Sequence, residues 1–221
     1  MKIRSKLHKT TQCPYSECRA KINPSNAATN FTTPALSVKI AVEDGIIRPG
    51  QKILEVGSGN LRNALFILNS VPDTHLFTYD LQSTIKRFTE NYQRFEKLGG
   101  LLVKTDYGKR KYDVVLCTFV LETICPEEER ISVLRSILSV LKKGGVLVAS
   151  FRGYPGVKGS KYKTCRMGDG LITPLNTFVK PYSIPEVKNL LDSSGFKFFH
   201  TLQNYRVNKP QNIHIKASLE E

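Results

Sequence analysis

The sequence predicts an α/β fold in three layers, with helices covering both faces of a mostly parallel β-sheet. Between residues 52 and 151, short apolar runs alternate with longer segments of helical periodicity, which is typical of repeated strand–helix–strand units. Near the end of the chain, two apolar runs follow each other without a helix between them. Consecutive strands without a crossover are antiparallel, so the sheet is expected to close with a hairpin.

The predicted strands are short and mostly apolar, as expected for strands buried between two helical layers. The strands of the parallel part are predicted at residues 52–56, 75–79, 101–103, 113–120 and 146–151. The closing hairpin is predicted at residues 196–202 and 212–218.

The segments between these strands have the spacing of amphipathic helices. One helix is predicted to begin at Pro126 with three glutamates and to end before Lys142, an arrangement that suits the helix dipole. Ser183 and Glu186 have the spacing of a capping box, and Gly195 ends the helix that they start. The other predicted helices are residues 60–68 and 83–98.

Length and composition indicate one globular domain with some additions. The chain has 221 residues, of which 40% are hydrophobic and 24% charged, as in ordinary soluble domains. No apolar run is long enough to cross a membrane, and no secretory signal follows Met1, so a cytoplasmic location is expected. The five cysteines are scattered and odd in number, which favours reduced thiols.

Cys13 and Cys18, with His8 nearby, have spacing that would suit half of a zinc site. The second pair that such sites need is missing, because the other three cysteines belong to distant parts of the chain. Free thiols are therefore favoured, and no metal is predicted.

The formal net charge of +14 is concentrated in two segments. Residues 1–40 carry a net +6 and residues 151–182 a net +5. Charge concentrated in this way favours a polyanionic partner, which makes DNA or RNA a candidate. The alternative is a basic surface without a specific partner, and the sequence does not indicate an oligomeric state.

A glycine-containing turn follows the first predicted strand, in the order Glu55-Val56-Gly57-Ser58-Gly59. Glycines there let the backbone approach a ligand, and the next helix offers unpaired N–H groups. Asp80 ends the second strand, 25 residues after Glu55, where a carboxylate can accept hydrogen bonds from ribose hydroxyls. Asp106 follows the third strand, where it can face an adenine amino group. The three acids are predicted to share the carboxyl edge of the sheet, where open α/β sheets bind ligands.

These motifs, in this order, resemble class I S-adenosylmethionine-dependent methyltransferases with the Rossmann-like fold. The resemblance covers residues 35–151 by motif and extends to the last strand by strand order. It implies a seven-stranded sheet whose final strand is antiparallel, and S-adenosylmethionine as the cofactor. It rests on Ile53–Gly59, Tyr79–Leu81, Thr105–Tyr107, Tyr112–Leu116 and Leu141–Leu147.

The resemblance also implies roles for individual residues. The methionine end of the cofactor would be held by Glu55 and the backbone of Gly57, Ser58 and Gly59. The ribose would be bound by Asp80, and the adenine by Leu81, Asp106 and Tyr107. The methyl-transfer pocket would be lined by Thr118 and Phe119. No catalytic residue is predicted: Glu122 is a candidate base, but an acid at this position is more often structural.

One residue departs from the family pattern. Where the methyltransferase loop usually has its third glycine, this chain has Leu61, followed by Arg62 and Asn63. The sequence also misses the dinucleotide-binding pattern of nicotinamide enzymes, which makes an oxidoreductase the less favoured reading. A Rossmann-like binding protein without catalysis stays open.

Two basic segments are predicted to shape the acceptor side: an N-terminal arm, residues 1–33, and an insertion at about residues 152–182 in the methyltransferase domain of residues 34–221. The insertion contains several glycines, which favour a mobile loop, and its basic residues alternate with aromatic ones, as in sites that bind a phosphate backbone and stack bases. A nucleic acid is therefore the predicted acceptor, with a small molecule or a protein side chain as the alternative. The predicted contacts are Lys9, Arg152, Lys158, Lys161, Lys163 and Arg166.

A second, shorter resemblance bears on the acceptor. Lys9-Thr10, upstream of Val42–Ile47, is similar to methyltransferases linked to DNA phosphorothioation systems.

Overall fold

A computed structural model describes residues 22–28, 31–103, 107, 110–157, 166–167, 169–203 and 211–220. The predicted N-terminal arm therefore lies mostly outside the described residues, as do Lys9, Cys13, Cys18 and Asp106.

A seven-stranded sheet forms the centre of the molecule. Its strands are β1 Lys52–Val56, β2 His75–Tyr79, β3 Leu101–Leu102, β4 Tyr112–Thr118, β5 Leu141–Arg152, β9 Phe198–Thr201 and β10 Asn212–Ser218. Their order across the sheet is β3-β2-β1-β4-β5-β10-β9. The strands β1 to β5 are parallel, and β10 lies antiparallel between β5 and β9. The fold class predicted from the sequence is thereby confirmed, including the closing hairpin.

Helices cover both faces of the sheet. One layer contains α1 Leu36–Glu43, α2 Arg62–Ser70, α3 Gln82–Arg87 and α4 Thr89–Lys97, and the other contains α5 Glu127–Val140 and α6 Ile184–Ser194. Side chains of one strand alternate between the two layers. Along β4, Val114 and Leu116 pack under α1 and α2, whereas Val115 and Cys117 pack under α5 and α6. None of the described helices has the length and apolar character to span a membrane.

The largest difference from the predicted helices lies at residues 83–98. The single helix predicted at residues 83–98 is wrong, because the segment forms two helices separated at Phe88. The backbone of Phe88, with φ −116° and ψ 34°, leaves the helical region. Its N–H still bonds the carbonyls of Thr84 and Ile85, so the two helices are joined by a tight turn. By contrast, the capping box of Ser183 and Glu186 is present as predicted.

A second, smaller sheet follows β5 within the predicted basic insertion. Its strands are β6 Arg166–Met167, β7 Gly170–Ile172 and β8 Phe178–Val179, all antiparallel. The mobile loop expected from the glycines therefore contains regular structure. The buried guanidinium of Arg130 on α5 pairs with Asp169 beside β7 and donates to the carbonyls of Ile124 and Cys125.

Asn63 on α2 connects four elements of the main domain. Its side-chain oxygen accepts from the N–H of Ala35 at 2.7 Å, just before α1. Its amide nitrogen donates to Glu55 Oε1 of β1 at 2.7 Å and to Thr118 Oγ1 of β4 at 3.0 Å. Because Asn63 is buried, water cannot replace these partners.

Replacing Asn63 with leucine should lower the free energy of unfolding by about 2–5 kcal/mol, because buried polar groups on Ala35 and Glu55 would lose their partner. Urea denaturation of the wild-type chain and Asn63→Leu measures the change. Asn69→Leu is the matched control, since Asn69 lies exposed on the same helix and should change stability by less than about 0.5 kcal/mol. Equal stability of all three proteins would contradict the role of Asn63.

Candidate functional site

A cavity of about 1060 Å³ opens at the carboxyl edge of the main sheet. It lies over the ends of β1 and β4, which are neighbours in the sheet. The strand order changes direction between them, because β2 and β3 lie on one side of this pair and β5 lies on the other. Ligands of open α/β sheets bind at such a point. One half of the cavity is lined from β1 and β2, and the other half from β4, β5 and the small sheet.

The turn after β1 has the backbone geometry that its glycines allow. Gly57 and Gly59 have φ values of +70° and +56°, which side chains rarely adopt. A Cβ atom on Gly57 would also overlap the side chain of Val120. The sequence prediction that glycines are needed at this turn therefore agrees with its geometry.

Leu61, which departs from the family pattern, keeps the conformation of the glycine that it replaces. Its φ of 66° and ψ of 20° are left-handed, and its side chain is fully buried in the core under α2. A left-handed backbone costs about 1–2 kcal/mol in a residue with a side chain. Burying a leucine contributes about 1.5–3 kcal/mol, so packing offsets the strain and the loop keeps its shape.

Helix α4 supports the glycine turn from outside. The hydroxyl of Tyr92 lies 2.9 Å from Ser58 Oγ and donates to the Gly59 carbonyl at 3.2 Å. The Asn91 amide donates to the Asn60 carbonyl at 2.8 Å. The sequence predicts Tyr92 only as part of a helix face. The contact of its hydroxyl with the glycine turn is not predicted, because the contact depends on the turn at Phe88.

Asp80 lies on the cavity wall at the end of β2, as predicted. Its carboxylate accepts hydrogen bonds of 2.6 Å from the N–H groups of Gly59 and Leu81. Burial raises the pKa of Asp80, and these hydrogen bonds oppose that shift. Each carboxylate oxygen has a second lone pair, so the group can also accept from a ligand.

Two apolar side chains lie beside Asp80 on the same half of the cavity. Leu81 is partly exposed, and Tyr107 is buried with its ring edge-on to Tyr79 at 5.0 Å. Both line the cavity. Asp106, the predicted adenine contact, lies outside the described residues.

Glu55 is buried to 1% exposure at the end of β1. Its Oε1 accepts from Asn63, whereas Oε2 has no hydrogen-bond partner among the described residues. Burial raises the pKa of Glu55 to about 7. Glu55 lines the cavity, and a buried carboxyl that keeps one oxygen without a partner fits a cationic or hydrogen-bond-donating ligand group.

The other half of the cavity contains a second buried carboxyl. Thr118 and Phe119 line it as predicted, and Glu122 follows on the short helix Leu121–Thr123. Glu122 is 2% exposed, its Oε1 is 3.8 Å from Nε of Arg152, and Oε2 has no partner in the described part of the chain. Burial raises the pKa of Glu122 to about 8.

Two loops cover this cavity. Residues 22–28 contribute Ile22, Pro24 and Ala28 to its lining, and residues 173–177 contribute Leu175. The loops bond each other, because the Asn23 N–H donates to the Asn176 carbonyl at 2.7 Å and the Asn26 amide donates to the Leu175 carbonyl at 3.1 Å. Arg87 of α3 donates to the Ser25 carbonyl at 3.1 Å, which connects the first loop to the helix that follows β2.

Part of the chain matches a known family. Residues 54–147 match the model of a methyltransferase domain. The matched segment runs from β1 to β5 and contains the glycine turn. The match confirms the predicted enzyme class, with S-adenosylmethionine as its cofactor. The sequence matches no curated protein at a significant level.

Solved structures of methyltransferases have the same fold. The CcbJ methyltransferase from Streptomyces caelestis is 14% identical, with a TM-score of 0.66 over 90% of this chain and 98% of that one. A S-adenosylmethionine-dependent methyltransferase from Clostridium acetobutylicum is 13% identical, with a TM-score of 0.64 over 92% and 94%. The 1,6-didemethyltoxoflavin-N1-methyltransferase of Burkholderia thailandensis is 17% identical, with a TM-score of 0.57 over 82% and 75%.

The predicted nucleic-acid contacts are only partly described. Arg152 lies on the cavity wall, where it faces Glu122. Lys9, Lys158, Lys161 and Lys163 lie outside the described residues, as does the side chain of Arg166. Within the described ranges, no group of three or more His, Cys, Asp or Glu side chains is placed to hold a metal ion.

Replacing Glu122 with glutamine should make the protein more stable at alkaline pH. The pKa of Glu122 rises from 4.5 to about 8 on folding, so its contribution to stability is present below pH 4.5 and is lost as pH rises to about 8. The loss approaches roughly 1.4 kcal/mol per pH unit. Urea denaturation from pH 5 to 8.5 should give a shallower decline for Glu122→Gln. Glu128→Gln, on the exposed start of α5, should follow the wild-type curve.

Proposed function

We propose that this methyltransferase transfers the methyl group of S-adenosylmethionine to a small molecule bound in the β4–β5 half of the cavity. The observation that carries the proposal is the continuation of the cavity beyond the glycine turn, beneath the two covering loops. Pockets for one drug-sized ligand occupy about 300–1,000 Å³. A cavity of about 1060 Å³ therefore has room for a cofactor and a compact acceptor.

The β1–β2 half fits the cofactor. The Oε2 of Glu55, which has no partner among the described residues, suits the amino group of its methionine end, and Gly57 lies beside it on the cavity wall. Asp80 is placed to accept from the ribose hydroxyls, and Leu81 and Tyr107 offer apolar surfaces for the adenine. Asp106 keeps its predicted place at the adenine amino group as part of this proposal.

The cofactor supplies an activated methyl group, so the protein's main task is to position the acceptor in line with it. Phe119 and Val120 line the cavity, and Val120 packs against Gly57 of the glycine turn. Once the reactants are bound, we expect the covering loops to shield the junction from water, which strengthens the electrostatic effect of every charged group inside. These parts bind and orient the reactants without a covalent intermediate on the protein.

Neighbouring structures support a small acceptor. The name of the Burkholderia thailandensis protein states that it methylates N1 of 1,6-didemethyltoxoflavin, and its structure contains that compound together with S-adenosylhomocysteine. The shared fold makes such an acceptor the working model for the present chain.

Asp80→Asn should weaken the binding of S-adenosylhomocysteine by about ten- to a hundredfold, because hydrogen bonds to a charged group contribute about 1.5–3 kcal/mol. Isothermal titration calorimetry measures the affinity. Asp192→Asn, an exposed position on α6, is the matched control and should bind as the wild type does. Absence of binding to the wild-type protein would refute the methyltransferase function.

A nucleic acid is the second candidate acceptor, and the concentrated net charge of +14 favours it. The contacts predicted in the two basic segments and the resemblance to phosphorothioation-linked enzymes both belong to this candidate. They stay predictions.

Short DNA and RNA duplexes should bind the chain weakly at low salt, because the basic segments release counterions, and should dissociate near 0.2 M salt. Electrophoretic mobility shifts at graded salt measure this dependence. Methyl incorporation from labelled S-adenosylmethionine into either duplex would replace the small-molecule acceptor by the nucleic acid. Binding without incorporation would leave the charge as a non-specific surface property.

A further inference from the structure

We propose that Glu122 is the general base of the reaction, and that the acceptor is a compact, mostly apolar molecule whose nucleophile is an O–H or ring N–H group. The inference rests on the proposed function. It starts from the position of Glu122 in the acceptor half of the cavity, where Oε2 faces no partner among the described residues.

The backbone around Glu122 fixes the direction of its side chain. Its carbonyl accepts from the Lys180 N–H at 2.8 Å, so the short helix is tied to the end of the small sheet. Oε1 is oriented toward Arg152 Nε at 3.8 Å. With one oxygen oriented by a cation, the other is left for a ligand, and a buried oxygen without a partner is costly unless a ligand supplies one.

The charges near Glu122 suit a proton acceptor. Arg152 on β5 favours the ionised carboxylate, whereas burial opposes it. Among the described residues, the neutral Cys117 on β4 and Tyr182 before α6 also interact with Glu122, and Glu129 of α5 lines the same half of the cavity. The resulting pKa of about 8 lies near physiological pH, where a general base is most effective.

The surroundings of Glu122 in the cavity also select the acceptor. Phe119, Ile124 and Phe178 give this half an apolar wall, and polar groups of Glu129, Arg152, Gln211 and Asn212 also line it. A molecule that fills it presents an apolar surface to that wall and a hydrogen-bond donor to Glu122. Phenols and nitrogen heterocycles have this combination.

The step balances in atoms and charge. A lone pair of the acceptor's oxygen or nitrogen forms the bond to the methyl carbon, and the carbon–sulfur bond of the donor breaks with its electron pair going to sulfur. The acceptor's proton passes to Glu122 Oε2. The sulfonium charge and the carboxylate charge are both lost, so the reacting groups end neutral, which favours the forward direction in a low-dielectric cavity.

The test uses 4-nitrophenol, phenol and benzimidazole as probes for the full chain, the Glu122→Gln variant and the control Glu128→Gln. First, phenol, which ionises at a higher pH than Glu122, is titrated with pH in the presence of saturating S-adenosylhomocysteine, and its ultraviolet difference absorbance reports ionisation in the site. Glu122, with its pKa of about 8, is ionised over that range, so its negative charge should raise the apparent pKa of the bound phenol. The pKa should be lower by about one unit in Glu122→Gln and unchanged in Glu128→Gln.

Second, methyl transfer from labelled S-adenosylmethionine is measured in single turnovers across the pH range. The wild-type rate should rise to a plateau near pH 8 with every probe. In Glu122→Gln, transfer to phenol and benzimidazole should fall at least a hundredfold, since general-base catalysis contributes about 10²–10⁴-fold. Transfer to 4-nitrophenol, which ionises without a base, should be retained in large part.

Three results would overturn the inference: an equal loss with all probes in Glu122→Gln, the same titration of bound phenol in Glu122→Gln as in the wild type, or no transfer to any probe by the wild-type protein. Calorimetry with S-adenosylhomocysteine on the same preparations separates this inference from the proposed function. Normal cofactor binding with a failed base test removes only the role of Glu122, whereas lost cofactor binding in the wild type removes both.

Discussion

The side chain of Asn63 is the contact on which the geometry of the site depends. One amide connects the residue before α1, the carboxyl of Glu55 at the end of β1, and Thr118 at the end of β4. These strand ends are the two sides of the cavity. A buried carboxyl next to a cofactor is tolerable only if part of its hydrogen-bonding capacity is satisfied within the protein, and Asn63 satisfies one oxygen while leaving the other for a ligand.

The two halves of the cavity follow the same physical design. Each contains a buried carboxyl with one oxygen near a polar group of the protein and one oxygen without a partner among the described residues, Glu55 at the end of β1 and Glu122 just beyond β4. Burial raises the pKa of both groups. A positively charged methyl donor between them would stabilise the ionised form of both, so cofactor binding would prepare the acceptor side electrostatically.

Local patterns predicted most of the fold, because short apolar strands, helix caps and glycine turns are specified by neighbouring residues. The break at Phe88 was not predicted, since the apolar face of residues 83–98 continues across it and the break depends on packing. The small sheet of residues 166–179 has strands of two or three residues, too short for a periodic pattern. The sequence alone leaves the role of Glu122 open, because its burial beside Arg152 depends on parts of the chain that are distant in sequence. Glu55 and Asp80 stand at strand ends, where the local pattern already indicates their positions.

The antiparallel strand β10 has a consequence for how the molecule is made. It is the last strand in chain order, yet it lies inside the sheet, bonded to β5 on one side and β9 on the other. During synthesis, β9 cannot join the sheet until residues 212–218 have left the ribosome. Until then, β5 presents an open hydrophobic edge, the kind of surface that chaperones recognise and that promotes aggregation. The order of the strands therefore delays completion of the sheet until both strands of the hairpin have been made.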